Sequence, residues 1–340
     1  MTLSQHAHNQ VFRLLTALLA AAILIGALFW TSKVDSSPAH WRAEWPNTDF
    51  SIHSVDLSEI FSGGPPRDGI PSIDNPQFVP AAEIAMSDME PVMGLIIGDT
   101  ARAYPLRILM WHEIVNDEVE GQPLAITYCP LCNTGLVFER QIAGQTLSFG
   151  TTGKLRRSDL VMYDRESESW WQQFTGEAIV GGMTGEKLKT VPARLESFAN
   201  FKQRAPAGEV LVPNDASMRA YGRNPYDRYD SRTRPYGFFQ GELPTDIAPL
   251  ARVVRVGDQV WALDYLQKQG EITQDNFRLS FEKGQSSALD SAIIADGRDV
   301  GNVVVQERTA DGDWQDVAYS VDFAFAVRAF MPEAKIHGLN

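Results

Sequence analysis

The segment Ile126-Thr127-Tyr128-Cys129-Pro130-Leu131-Cys132-Asn133-Thr134-Gly135-Leu136-Val137-Phe138-Glu139-Arg140 decides how the chain is to be read. Two apolar runs, LAITY and GLVFER, flank a short Pro/Asn/Gly stretch, the pattern of two strands joined by a tight connection. Cys129 and Cys132 sit in that connection, and they are the only cysteines in 340 residues. Proline after the first cysteine fixes one backbone angle, so the loop can aim two sulfurs and several N–H groups at one point.

Outward from this hairpin, strand signals dominate. VMGLII, TLSFG, DLVMYD, SWWQQF, EVLV, RVVRV, QVWAL, FRLSF and NVVVQ are separated by Gly, Asp and Asn turns. Helical spacing is confined to Pro105–His112, Glu196–Arg204 and Val321–Phe330. Gly98–Asp117 also reads like Gly257–Asp275: a Gly-Asp turn, a strand, a short helix and a Glu-Ile step. These features predict an α+β, predominantly β fold of two degenerate β-rich halves, about 92–180 and 250–330, with a few short helices. The second half carries no cysteine and has Gly270 opposite His112, so chemistry is expected in the first half.

Two segments precede this domain, which is assigned to 91–340. Leu14–Trp30 is uncharged and apolar; as a helix it is about 26 Å long, slightly short of a hydrocarbon core of about 30 Å. Val11 and Phe12, with Arg13 snorkelling, close the gap. Bulky residues stand where a signal peptidase needs small ones, so residues 1–35 read as a short cytoplasmic tail and an uncleaved transmembrane signal anchor. The remainder is expected on the periplasmic or extracellular side of the cytoplasmic (inner) membrane. Residues 36–90 hold five prolines between 65 and 80, which excludes a long helix or a central strand. Ile70, Ile73, Phe78 and Val79 mark that region as a wrapping segment rather than a free linker. The net charge of −13, without a long basic run, argues against nucleic acid as a partner.

Thiolates and imidazole suit zinc, copper or iron, and Cys129 and Cys132 supply two ligand positions. His112 is the expected third. The other histidines precede the apolar run, follow it closely or lie near the C-terminus, except His53. Met110, Met162, a carboxylate or water is left for the fourth position, and copper or zinc is expected over iron. Two other readings of the cysteines stay open: a local disulfide joining two strands, and a redox dithiol. The thioredoxin form of the latter is disfavoured because Asn133-Thr134-Gly135 leads into a strand, not a helix N-terminus.

A second dense stretch, Ser158–Glu177, reads as a hairpin with Asp164-Arg165-Glu166-Ser167 at its turn. Asp164, Arg165, Trp170, Gln173 and Glu177 are its possible pocket-lining residues; sheet packing with an ion pair is the plainer alternative. The chain has no phosphate-binding Gly-rich loop, no Gly-x-Ser-x-Gly elbow, no His-Glu-x-x-His and no haem-attachment motif. Several common enzyme classes are thereby set aside.

SGGPPRDGIPSIDNPQFV (62–79), ARAYPLRILMWHEIVND (101–117), ITYCPLCNTGLVFER (126–140) and FGTTGKLRRSDLVMYDRESESWWQQFTGEAI (149–179) together resemble the domain of unknown function 3179 family. The resemblance runs from about Val55 to the C-terminal helical segment. It implies a prokaryotic envelope protein and brings no activity with it. Gly150-Thr151-Thr152-Gly153 departs from the family's Gly-Val-Ser-Gly-like turn, so a role for a serine there is not implied. The resulting expectation is a membrane-anchored envelope protein whose Cys129/Cys132/His112 centre handles metal or electrons. A non-catalytic envelope binding or assembly module with a structural disulfide, and a thiol–disulfide oxidoreductase, are the alternatives.

Overall fold

The computed structural model describes residues 38–142, 144–237 and 239–339. The expected anchor at Leu14–Trp30 lies outside these residues. Among the described residues, no helix is long and apolar enough to cross a membrane.

Strand accounts for 39% of residues and helix for 13%, too little helix to form a layer of its own. The described strands form five sheets of four or five strands and one two-stranded ribbon, arranged as a five-bladed β-propeller. This corrects the expected α+β fold of two halves. Helices such as Leu106–His112, Phe198–Arg204, Leu263–Gln269 and Ala324–Phe330 have seven residues each. At about 10 Å long, they connect strands rather than cover a sheet.

The local likeness behind the two-half expectation is nevertheless present. Pro91–Ile97 and Thr100–Pro105 form a hairpin that runs into Leu106–His112 and then Ile114–Val119 in the next sheet. Arg252–Val256 and Gln259–Ala262 do the same into Leu263–Gln269 and Glu271–Gln274. Pro105 and Ala262 cap the helices with φ −64° each, and Glu113 and Gly270 end them at φ 57° and 75°. The structural partner of Gly270 is therefore Glu113, not His112. The unit is one step between neighbouring blades and not half of a molecule.

Three sheets matter for the site. The first holds the meander Phe149–Arg156, Asp159–Asp164, Trp170–Gln172 and Glu177–Val180, with Ile60–Ser62 added at its edge. The second runs Thr190–Val191, Thr134–Glu139, Gln122–Cys129, Ile114–Val119. The third runs Ser320–Phe323, Arg252–Val256, Gln259–Ala262, Ile336–His337. All six residues of Asp159–Asp164 are buried, as expected of a strand covered on both faces.

Upstream residues seal the first sheet. Trp41, Trp45 and Phe50 pack with Trp170, Tyr163 and Val161 in one buried cluster, and Arg67 lies over the rings of Trp45 and Tyr163 at 4.3 and 4.4 Å. Gly153 has φ +69°, and a Cβ there would stand 2.0 Å from the Pro65 carbonyl oxygen. Only glycine lets the proline-rich segment lie so close.

Candidate metal centre

The cysteines occupy the connection predicted from the sequence. Cys129 pairs with Thr134 across the hairpin. Asn133 adopts φ 54°, a left-handed conformation that asparagine tolerates better than most residues. A Cβ on Gly135 would meet the Met93 sulfur at 2.7 Å. The loop is fastened to the third sheet: Asn133 Nδ2 donates to the Val321 carbonyl (2.8 Å), Thr134 Oγ1 to Asp322 Oδ1 (2.8 Å), and Phe323 N to the Cys132 carbonyl (2.9 Å). Tyr229 adds a bond from its hydroxyl to the Leu131 carbonyl at 2.9 Å.

Both cysteines are free thiols, 2% and 0% exposed. Opposite them stands the turn between Phe149–Arg156 and Asp159–Asp164. Arg157 and Ser158 both have positive φ, 54° and 66°, as a two-residue hairpin of the primed type demands, yet neither is the glycine or asparagine such turns favour. The turn aims the Ser158 carbonyl at the sulfurs, 3.4 Å from Cys132 Sγ and 3.8 Å from Cys129 Sγ. It also delivers Asp159.

The ligand atoms of Cys129, Cys132 and Asp159 lie within 4.8 Å of one another, and all three residues are buried. This group can hold a metal ion. Asp159 Oδ2 accepts from Gln172 Nε2 (2.6 Å) and Phe174 N (2.9 Å), whereas Oδ1 is buried without a partner. Burial pushes the Asp159 carboxyl up to about 7, against the lowering effect of Gln172, of the Phe174 amide and of the neighbouring Cys129 thiol. Burial also raises both thiols, Cys132 strongly. Glu113, next to His112, is pushed up to about 8 by burial and by the charge of Asp159.

His112 is not part of this group. Its Nδ1 lies 2.7 Å from the Pro71 carbonyl and its Nε2 2.7 Å from the Tyr221 hydroxyl. The carbonyl can only accept, so Nδ1 carries the proton and Nε2 accepts from Tyr221. With both nitrogens engaged, no lone pair is left for a metal. The group that stands close to the two sulfurs is instead a carboxylate, Asp159, from a different sheet.

The five residues expected to line a pocket are dispersed. Asp164 accepts from Ser167 and from Trp171 Nε1, organising its own turn. Arg165 bonds Asp74 and Ser72. Trp170 packs in the cluster with Trp41 and Trp45, and Glu177 pairs with Lys187 at the surface. Gln173 alone joins the cysteine hairpin, donating to Thr127 Oγ1 and the Thr134 carbonyl. Asp159 and Glu113 are not among the expected site residues, although both lie in the motifs quoted above. Asp159 follows Arg156-Arg157-Ser158, a turn without glycine, and carries no sequence signal of its own.

The family model for "Protein of unknown function (DUF3179)" matches residues 67–334. The chain belongs to the DUF3179 family. Every residue of the centre falls within the DUF3179 match. No curated protein and no solved structure matches the chain.

Proposed function

We propose that this DUF3179 protein binds one divalent transition-metal ion of the zinc class at Cys129, Cys132 and Asp159, and that metal handling or metal-dependent chemistry is its function. The observation that carries this reading is Asp159 Oδ1, an unpartnered buried carboxylate oxygen beside two sulfurs. A buried carboxylate oxygen without a hydrogen-bond partner is costly even when its twin is satisfied, and an ion between that oxygen and the sulfurs removes the cost. Tetrahedral zinc sets its ligand atoms roughly 3.5–3.8 Å apart, so a contraction of at most about 1.3 Å from the 4.8 Å limit suffices. A hard carboxylate joined to two thiolates favours zinc over copper(I), which selects soft donors throughout.

Thiol–disulfide exchange is less well supported. It needs an exposed thiol of lowered pKa, and burial acts on both cysteines in the opposite direction. The apolar Leu14–Trp30 run supports placing the domain at the outer face of the cytoplasmic membrane.

Metal analysis of the full chain, purified under reducing conditions and replenished with zinc, tests the proposal. About one equivalent is expected in the wild type, and less than about a tenth in Cys129→Ser/Cys132→Ser. A reduced wild-type chain that holds no transition metal after replenishment ends this reading.

A further inference from the structure

Glu113 stands out among the buried groups because nothing in the fold accounts for it. It is 7% exposed, and among the described residues no hydrogen bond or ion pair reaches its carboxyl, whose proton is held chiefly by burial and by the charge of Asp159. Its backbone has φ 57° and ψ −30°, a conformation that disfavours any residue with a Cβ. The corresponding helix end in the sister unit is Gly270, at φ 75° and ψ −49°. Here glutamate holds a place that suits glycine. Strain of this kind persists where the side chain has a task.

Its position indicates the task. Tyr128 N donates to the Glu113 carbonyl at 2.9 Å, which fixes Glu113 beside the residue that precedes Cys129. His112 is pinned by Pro71 and Tyr221, so the helix end cannot shift. The charges of Asp159 and Cys129 both interact with the Glu113 carboxyl, yet Glu113 is not in the close group of Cys129, Cys132 and Asp159. Two thiolates and one carboxylate already leave a net charge of about −1 around a divalent ion, so a fourth anionic ligand in a buried site is unfavourable. A neutral ligand fits better there.

We propose that Glu113 faces the fourth coordination position and holds a water molecule in it by a hydrogen bond. This rests on the Cys129/Cys132/Asp159 reading and extends it, because three protein ligands plus water make an open, reactive centre rather than a closed structural one. Glu113 is then a positioning residue that the protein keeps at the expense of stability.

Cobalt(II) titration of the reduced full chain tests this, with Glu113→Gly and Glu113→Gln beside the wild type. Glu113→Gly is expected to raise the metal-free melting midpoint by about 2–4 °C, to weaken cobalt binding by about 10–100-fold and to alter the visible d–d bands. Glu113→Gln keeps an acceptor and is expected to retain most of the affinity and the wild-type bands. Wild-type affinity and spectrum in Glu113→Gly overturn the inference and leave the three-ligand centre standing. So does a Glu113→Gly chain less stable than wild type, since strain is the argument. A wild type that takes up no cobalt removes both.

Discussion

The carbonyl oxygen of Ser158 lies 3.4 Å from the Cys132 sulfur. That contact exists because two consecutive residues with side chains, Arg157 and Ser158, hold positive φ. The same turn fixes where the next residue, Asp159, enters the buried strand. The group of Cys129, Cys132 and Asp159 is thus assembled by two hairpin connections from different sheets.

Asp159→Asn separates the ligand role from the packing role. The amide oxygen can still accept from Gln172 and Phe174, which bond Asp159 Oδ2, but it is a poor ligand. Zinc affinity is expected to fall at least 100-fold, while the metal-free melting midpoint stays equal or rises because a buried carboxyl has been removed. Competition against a chromophoric chelator and calorimetry of the metal-free chain check both halves.

His112→Gln addresses the opposite point. Loss of the bonds to Pro71 and Tyr221 is expected to lower stability by about 1–3 kcal/mol. Zinc stoichiometry should stay at one equivalent, since the ring is not a ligand; metal content by elemental analysis shows this directly.

Gly153→Ala tests the seal of the proline-rich segment. The new Cβ meets backbone, the Pro65 carbonyl at 2.0 Å, in a left-handed conformation, so neither side can give cheaply. A destabilisation of about 3 kcal/mol is expected, read as a shifted urea midpoint.

Asp230 sets an acid limit on stability. Burial alone pushes its carboxyl up, but Arg252, Ser287 and Arg298 outweigh burial and hold it below the ordinary range; both arginines lie at 2.8 Å. A lowered folded value means stability that is complete above the unfolded value of about 3.9 and is lost as pH falls through the folded one. Asp230→Asn is expected to cost about 3 kcal/mol near neutrality and to flatten the stability profile below about pH 4. Urea unfolding across a pH series measures both.

What the sequence shows and what it hides follow from distance along the chain. The Cys129–Thr134 hairpin, the helix after Pro105 and the Gly98 and Gly257 turns depend on neighbouring residues and are visible in them. The five sheets are not, because Ile60–Ser62 pairs with Lys154–Arg156, and Ser320–Phe323 pairs with Arg252–Arg255. Such pairings leave no local periodicity, so a repeated step between blades looks, in the sequence, like a repeated half. The sequence points to His112 by its position and by elimination of the other histidines; its engagement by Pro71 and Tyr221 depends on contacts up to 109 residues away. Asp159 is not legible in the sequence because a non-glycine turn with two positive φ values has no compositional mark.

The bond from Asn133 to Val321 joins residues 188 positions apart. The loop that bears both sulfurs therefore reaches its final shape only after the closing strand Ser320–Phe323 has been synthesised and docked. On the proposed function, loading of an ion would then be a late event in the life of the polypeptide, and tight occupancy would certify that the ring has closed.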